Sequence, residues 1–151
     1  MQINKEKYEY LNRVAEDNEY DAKMFINFNS DKVEEWYQIA FNAGIKEAAL
    51  TYAEMYQAMN KFDKAEKCYV TAFDAGMTDV AMMCAEMHQI NREYVKAENW
   101  YKVAFSAGIH QAAKQCFYMF IGFKHFIKAK EWIDITQQAN LTEQAQTMQE
   151  A

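Results

Sequence analysis

Few groups in this chain have the types and spacing that chemistry requires. Cys84 and His88 lie four residues apart, which on a helix puts them on one face, and Cys116 follows at a spacing of 32. A thiolate, imidazole, thiolate set of that kind would suit tetrahedral zinc. The flanking positions are apolar, however, so the expectation is a neutral packed histidine and reduced, buried thiols, with Cys68 the third. No metal and no cofactor is expected. Adjacent carboxylates such as Glu34 and Glu35 point to different sides of a helix, which is poor geometry for an acid/base pair. His110 and His125 fall near helix boundaries, where exposure is the default. There is no phosphate-cradling glycine loop and no nucleophile motif. The protein is therefore expected not to be an enzyme, and no catalytic residue is assigned.

The elements that would position any site follow from composition and period. Hydrophobic residues at 51% and aromatics at 15% exclude a disordered tail, and charged residues at 25% are ordinary for a water-soluble domain. There is no proline and there are four glycines, so breakers act as punctuation between helices. A net charge of −6 argues against a phosphate-binding surface and hence against direct nucleic-acid binding. The N-terminus lacks the basic start and apolar run of a signal peptide. The most apolar run, Cys116 to Phe123, is far short of the roughly 20 residues that span a bilayer. A cytoplasmic location without membrane contact is expected.

Three stretches, VEEWYQIAFNAG, AEKCYVTAFDAG and AENWYKVAFSAG, begin at Val33, Ala65 and Ala97, a period of 32. Their columns align: Val33 with Ala65, Ala97 and Ala129; Trp36 with Cys68, Trp100 and Trp132; Tyr37 with Tyr69, Tyr101 and Ile133. Ala40, Ala72 and Ala104 follow, then Phe41, Phe73 and Phe105. Spacings of three and four place these on one helical face. Each copy ends in glycine and an apolar residue, at Gly44, Gly76 and Gly108, as a left-handed helix cap requires. The fourth copy reads Ala139-Asn140-Leu141, with asparagine in the glycine's place. Between caps runs a second helix, beginning at Lys46, Thr78 and His110. Its inward columns are Ala49, Tyr52, Ala53 and Tyr56; Ala81, Cys84, Ala85 and His88; Ala113, Cys116, Phe117 and Phe120. Tight turns are expected at Asn60-Lys61, Arg92-Glu93 and Lys124-His125, each followed by an aromatic. Asp63 to Glu66 has the acceptor-x-x-Glu form of a helix start. The fold class expected is all-α, about four antiparallel helical hairpins in a single domain. Residues 1–31 form a divergent N-terminal hairpin, 32–141 the repeats and 142–151 a closing helix.

This layout resembles the tetratricopeptide repeat and its Sel-like relatives over roughly Lys32 to Leu141. The resemblance rests on Ala53, Ala85, Tyr56, Phe62 or Tyr94, then Ala65, Tyr69 and Ala72, and on the AxxWYxxAFxAG wording from Ala97 to Gly108. Phe117 departs from it, replacing the small residue in the last copy. The resemblance implies a right-handed α-solenoid whose first helices line a concave groove. Carried over, that groove holds Glu47, Leu50, Glu54 and Gln57, then Asp79, Met82, Glu86 and Gln89, then Lys114 and Tyr118. Carboxylates and glutamines beside Leu and Met would suit a basic or amphipathic peptide or partner helix. The expected function is thus a protein-binding module or adaptor. The alternative is a small acidic inhibitor covering a basic, nucleic-acid-binding surface of another protein. Tyr118, Phe120, Phe123 and Phe126 crowd toward the C-terminal end, and an exposed apolar patch there would imply a homodimer or a docked partner.

Overall fold

The computed structural model describes residues 47–150 together with Glu35, Gln38, Asn42 and Ile45. The expected terminal hairpin over 1–31 and the cap at Gly44 lie outside the described residues. The described chain forms α1 (Glu47–Ala58), α2 (Phe62–Asp74), α3 (Val80–Ile90), α4 (Tyr94–Ser106), α5 (Gln111–Gly122) and α6 (Phe126–Glu150), with no strand among the described residues. None of these helices is long and apolar enough to cross a membrane. The chain divides into two compact units, Met1–Met77 and Thr78–Ala151. The first holds α1 packed on α2; in the second, α3 packs on α4, α4 on α5 and α5 on α6.

Each hairpin reverses in three residues, and one backbone device does it every time. Asn60, Arg92 and Lys124 adopt the left-handed conformation, with φ of 56°, 62° and 57°. The next residue then donates its N–H back across the helix end: Lys61 to the Tyr56 carbonyl at 2.8 Å, Glu93 to His88 at 2.8 Å and His125 to Phe120 at 2.9 Å. This six-to-one bond satisfies a terminal carbonyl that would otherwise lack a partner. Asparagine tolerates the left-handed region, whereas arginine and lysine pay about 1–2 kcal/mol there. The second helices end similarly at Gly76 and Gly108, with φ of 95° and 92°. There Met77 and Ile109 donate to the carbonyls of Ala72 and Ala104 at 3.1 and 3.0 Å.

Packing follows the small-residue columns. Ala48, Ala49 and Ala53 of α1 and Ala65 and Ala72 of α2 are buried, which lets the two backbones approach and leaves Tyr52, Tyr56 and Tyr69 to fill the space between. Tyr52 and Tyr56 meet edge to face at 5.5 Å. In the second unit Ala81, Ala85, Ala97, Ala104, Ala112 and Ala113 play the same part around Tyr101, Met87 and Trp132. Met55, Met87 and Met119 form a further buried column that the sequence reading overlooked. Its signal was available: the same flexible side chain recurs at one register in all three copies.

A hydrogen bond recurs with this packing. Tyr69 donates its hydroxyl to Gln57 Oε1 at 3.0 Å, and Tyr101 donates to Gln89 Oε1 at 2.6 Å. A buried tyrosine hydroxyl without an acceptor costs about 1–3 kcal/mol, so each glutamine is a structural partner to its tyrosine. The corresponding positions in the last hairpin are Ile121 and Ile133. Donor and acceptor are lost together, which leaves no polar group stranded.

Three expectations are corrected. The helix expected to stop at Asn140 runs on unbroken from Phe126 to Glu150, so 142–150 continues α6 and is no separate element. Asparagine inside a helix costs well under 1 kcal/mol, and no glycine or proline comes after it to enforce the stop. Asp63 does not cap α2: the cap position is Lys61, without a side-chain cap hydrogen bond, and Asp63 sits in the first turn, where its charge complements the helix dipole. Among the inward columns, Phe117 is only half-buried, too large for the slot that alanine fills elsewhere.

The turn geometry yields a test. A Cβ added at Gly108 would meet nothing within 4 Å, so only its backbone conformation opposes a side chain. Gly108→Ala is expected to lower unfolding stability by about 1–2 kcal/mol and Arg92→Gly to raise it by about 1 kcal/mol. Urea midpoints read both effects, and equal midpoints for either variant and the wild type would contradict the turn analysis.

Candidate functional site

Helices α1, α3 and α5 each turn one face into the packing and leave another uncovered. On α1, Glu47 and Glu54 are exposed, Leu50 is half-buried, and Gln57 is half-buried with its Oε1 occupied by Tyr69. Protein around the Glu54 carboxyl desolvates it enough to raise its pKa although the side chain as a whole is exposed. In the second unit Asp79 precedes α3 at its cap position and makes no cap hydrogen bond. Met82 and Gln89 are half-buried and Glu86 is exposed. Burial pushes the Tyr101 hydroxyl pKa up, helped by the Glu86 charge, so the hydroxyl stays a donor to Gln89. On α5, Lys114 and Tyr118 are both exposed. Glu47, Glu54, Asp79, Glu86, Lys114 and Tyr118 are thus exposed, Leu50 and Met82 half-buried, and Gln57 and Gln89 committed to tyrosines.

A second centre was not foreseen. Glu98 on α4 is only 5% exposed. Its Oε1 accepts from the Trp132 indole at 3.3 Å and faces Lys102 Nζ at 3.4 Å, while Lys128 from α6 holds Oε2. Burial raises the Glu98 pKa, but the Lys128 and Trp132 hydrogen bonds and the two lysine charges outweigh it, leaving the carboxyl below its ordinary value. The Lys128 ammonium also lies 5.0 Å from the Phe120 ring centre on α5. One buried anion thus ties three helices together. Nearby, burial and then the Glu98 charge push the Cys116 thiol up to about 12, which keeps it protonated and unreactive. None of the three cysteines forms a disulfide; Cys84 and Cys116 are buried as expected, Cys68 only half-buried.

A third polar pair spans the α3–α4 turn. His88, fully buried, donates from Nδ1 to Glu93 Oε2 at 2.7 Å. That bond first, and Lys96 at 3.2 Å with Asn91 besides, pull the Glu93 carboxyl down to about 2 against its partial desolvation. His110 and His125 are exposed, as expected.

The tips of the two hairpins in the second unit meet at Tyr94 and Phe123, whose ring centres are 3.8 Å apart. Beside them Val95, Phe120, Phe123, His125 and Lys128 line a cleft of about 230 Å³, with Glu98 at its polar end. Of the crowded C-terminal aromatics, Phe120 is buried, whereas Tyr118, Phe123 and Phe126 are exposed, Phe126 by 65%. A larger cleft of about 480 Å³ lies where α6 runs past Phe105 and His110, lined by Ile135, Gln138, Ala139 and Thr142.

Glu98 and Lys128 belong to charged columns visible along the chain: glutamate recurs at 34, 66 and 98 and lysine at 32, 64, 96 and 128. Charged columns of that kind read as solvated helix faces, and only packing reveals that this glutamate turns inward.

The asymmetry of burial sets the cost of breaking the pair. Lys128→Met strands a buried carboxylate and is expected to cost about 2–3 kcal/mol, below the usual figure for a buried pair because Lys102 remains. Glu98→Met leaves two lysines that can turn to water but strands the buried Trp132 indole N–H, and is expected to cost about 1–2 kcal/mol. Urea denaturation of both checks the order, and the reverse order would show that the lysine is the strained partner. For Glu93 the folded pKa lies below the unfolded value, so its stabilisation is present above the unfolded pKa of 4.5 and fades as pH falls toward 2. Glu93→Gln is expected to flatten the loss of stability across that window in pH-dependent melts; an unchanged slope would contradict the assignment.

No family model matches this chain, and neither the curated proteins nor the solved structures contain a significant match to it.

Proposed function

We propose that the chain is a non-enzymatic helical-repeat protein, of the tetratricopeptide or Sel-like kind, that binds other proteins through the uncovered rows of α1, α3 and α5. The ligand is a peptide or partner helix carrying basic residues among apolar ones. The observation that carries this reading is the exposure of Glu54 and Glu86, which occupy equivalent places on α1 and α3, beside half-buried Leu50 and Met82. Carboxylates next to partly covered apolar side chains attract a cation and then offer its neighbours apolar contact. The recurrence of left-handed residues at 60, 92 and 124 and of the tyrosine–glutamine bond in two hairpins supports the repeat reading. The two carboxyl groups with lowered pKa values, Glu93 and Glu98, are each taken up by a structural pair.

The test is affinity capture from a source-cell lysate with the wild type and with a Glu54→Lys, Glu86→Lys double variant. Both positions are exposed, so helicity measured by circular dichroism should match. A partner retained by the wild type and reduced about tenfold or more with the variant is the expected outcome. Undiminished binding would remove these rows as the working surface.

A further inference from the structure

Among the described residues, several of the most exposed apolar side chains fall beside two turns that meet, and the charge there is opposite to that of the chain. Ile90, Val95, Phe126 and Ile127 are 77%, 72%, 65% and 78% exposed, and all lie within a few residues of the two turns that meet at Tyr94 and Phe123. Isolated exposed apolar side chains need no explanation, but Val95 and Phe123 also line a cleft, which sets them apart. The turns themselves carry Arg92 and Lys124, fixed in place by their left-handed backbone. Among the described residues, neither of these two makes an ion pair. The cleft's own anion, Glu98, is matched by two cations, Lys102 and Lys128, so that cluster is also net positive. Glu93, in the same turn as Arg92, is held by His88 and Lys96, so in a chain of net charge −6 the tip still carries a net positive charge.

We propose that the paired hairpin tips of the second unit are a docking site for an acidic amphipathic segment of a partner protein. The segment inserts one bulky apolar side chain between Val95 and Phe123 and sets its carboxylates against Arg92 and Lys124. The cleft of about 230 Å³ has room for one large side chain and is too small for a folded element. Its concavity favours an inserted side chain over a flat lipid surface, and its net positive charge disfavours a second copy, since two identical basic tips would repel. The inference rests on the reading of the chain as a protein-binding module, but it assigns a different surface and the opposite ligand charge.

The experiment pans a phage-displayed library of short random peptides against the full chain. Enriched peptides are then measured against three variants: Arg92→Glu with Lys124→Glu, Val95→Asp, and Glu54→Lys with Glu86→Lys. All five positions are exposed, and circular dichroism controls the fold. The expected result is enrichment of Asp or Glu beside a bulky apolar residue, with binding weakened about tenfold or more by the first two variants and unchanged by the third. Enrichment of basic peptides lost only with the third variant would overturn the tip assignment while leaving the proposed function standing. Enrichment of no peptide would overturn the tip assignment, and the lysate capture would then decide the broader function separately. Sedimentation showing a dimer abolished by Val95→Asp would give the tip to a second copy. Co-flotation with vesicles of phosphatidylcholine and phosphatidylserine, lost with Arg92→Glu and Lys124→Glu, would give it to a lipid surface. Either result also overturns the proposal.

Discussion

Reversal of the chain within three residues is the constraint on which the described hairpins depend. A helix that ends must satisfy its last carbonyls, and here one left-handed residue lets the following N–H reach back to do so. Two of the three residues bearing that conformation are arginine and lysine, which adopt it at a cost. The two hydrogen bonds of each turn, worth about 1 kcal/mol each, offset that cost only because the flanking helices are also packed. The same turn places its side chain at the outermost point of the hairpin, where a long cationic residue reaches water. The backbone requirement and the charge of the tip are thus set by one position.

Around each turn the residues five apart meet, and their chemistry differs from copy to copy. Position 88 and position 93 form a histidine–carboxylate hydrogen bond, whereas Phe120 and His125 meet as rings 6.1 Å apart. The tyrosine–glutamine bond is likewise present in two hairpins, and in the last both positions are isoleucine. These exchanges keep polar groups either matched or removed together, since a buried half-pair would be costlier than either alternative. The last hairpin consequently ends more apolar than the others, and its tip and the start of α6 carry Phe123, Phe126 and Ile127 into solvent.

Length mismatch adds to this. At 1.5 Å per residue, α5 with its 12 residues extends about 18 Å, and α6 with its 25 residues about 38 Å. Among the described side chains of α6, the buried hydrophobic ones are Ala129 and Trp132, near its start, and Leu141 and Met148 farther along are exposed. The helix stays unbroken because nothing in its sequence forces a stop.

The helical class, the boundaries of most hairpins and their small-residue columns are legible along the chain. These depend on local propensity, on spacings of three and four, and on glycine or its substitutes at reversals, all written within a few residues of one another. Asn140 misleads, because an asparagine permits a cap but requires one only if the residues after it cannot stay helical. Glu98 was hidden for a different reason. Along the chain it is one more glutamate in a charged column, and its burial exists only because α6 brings Trp132 and Lys128 against α4. The aromatic crowding at Phe123 and Phe126 was legible, but its meeting with Tyr94 and the neighbouring Arg92 was hidden, since Tyr94 and Phe123 stand far apart in sequence and only tertiary packing joins their turns. Local periodicity fixes which face of a helix is apolar; which charges that face encloses, and which apolar residues no neighbour covers, depends on elements distant in the chain.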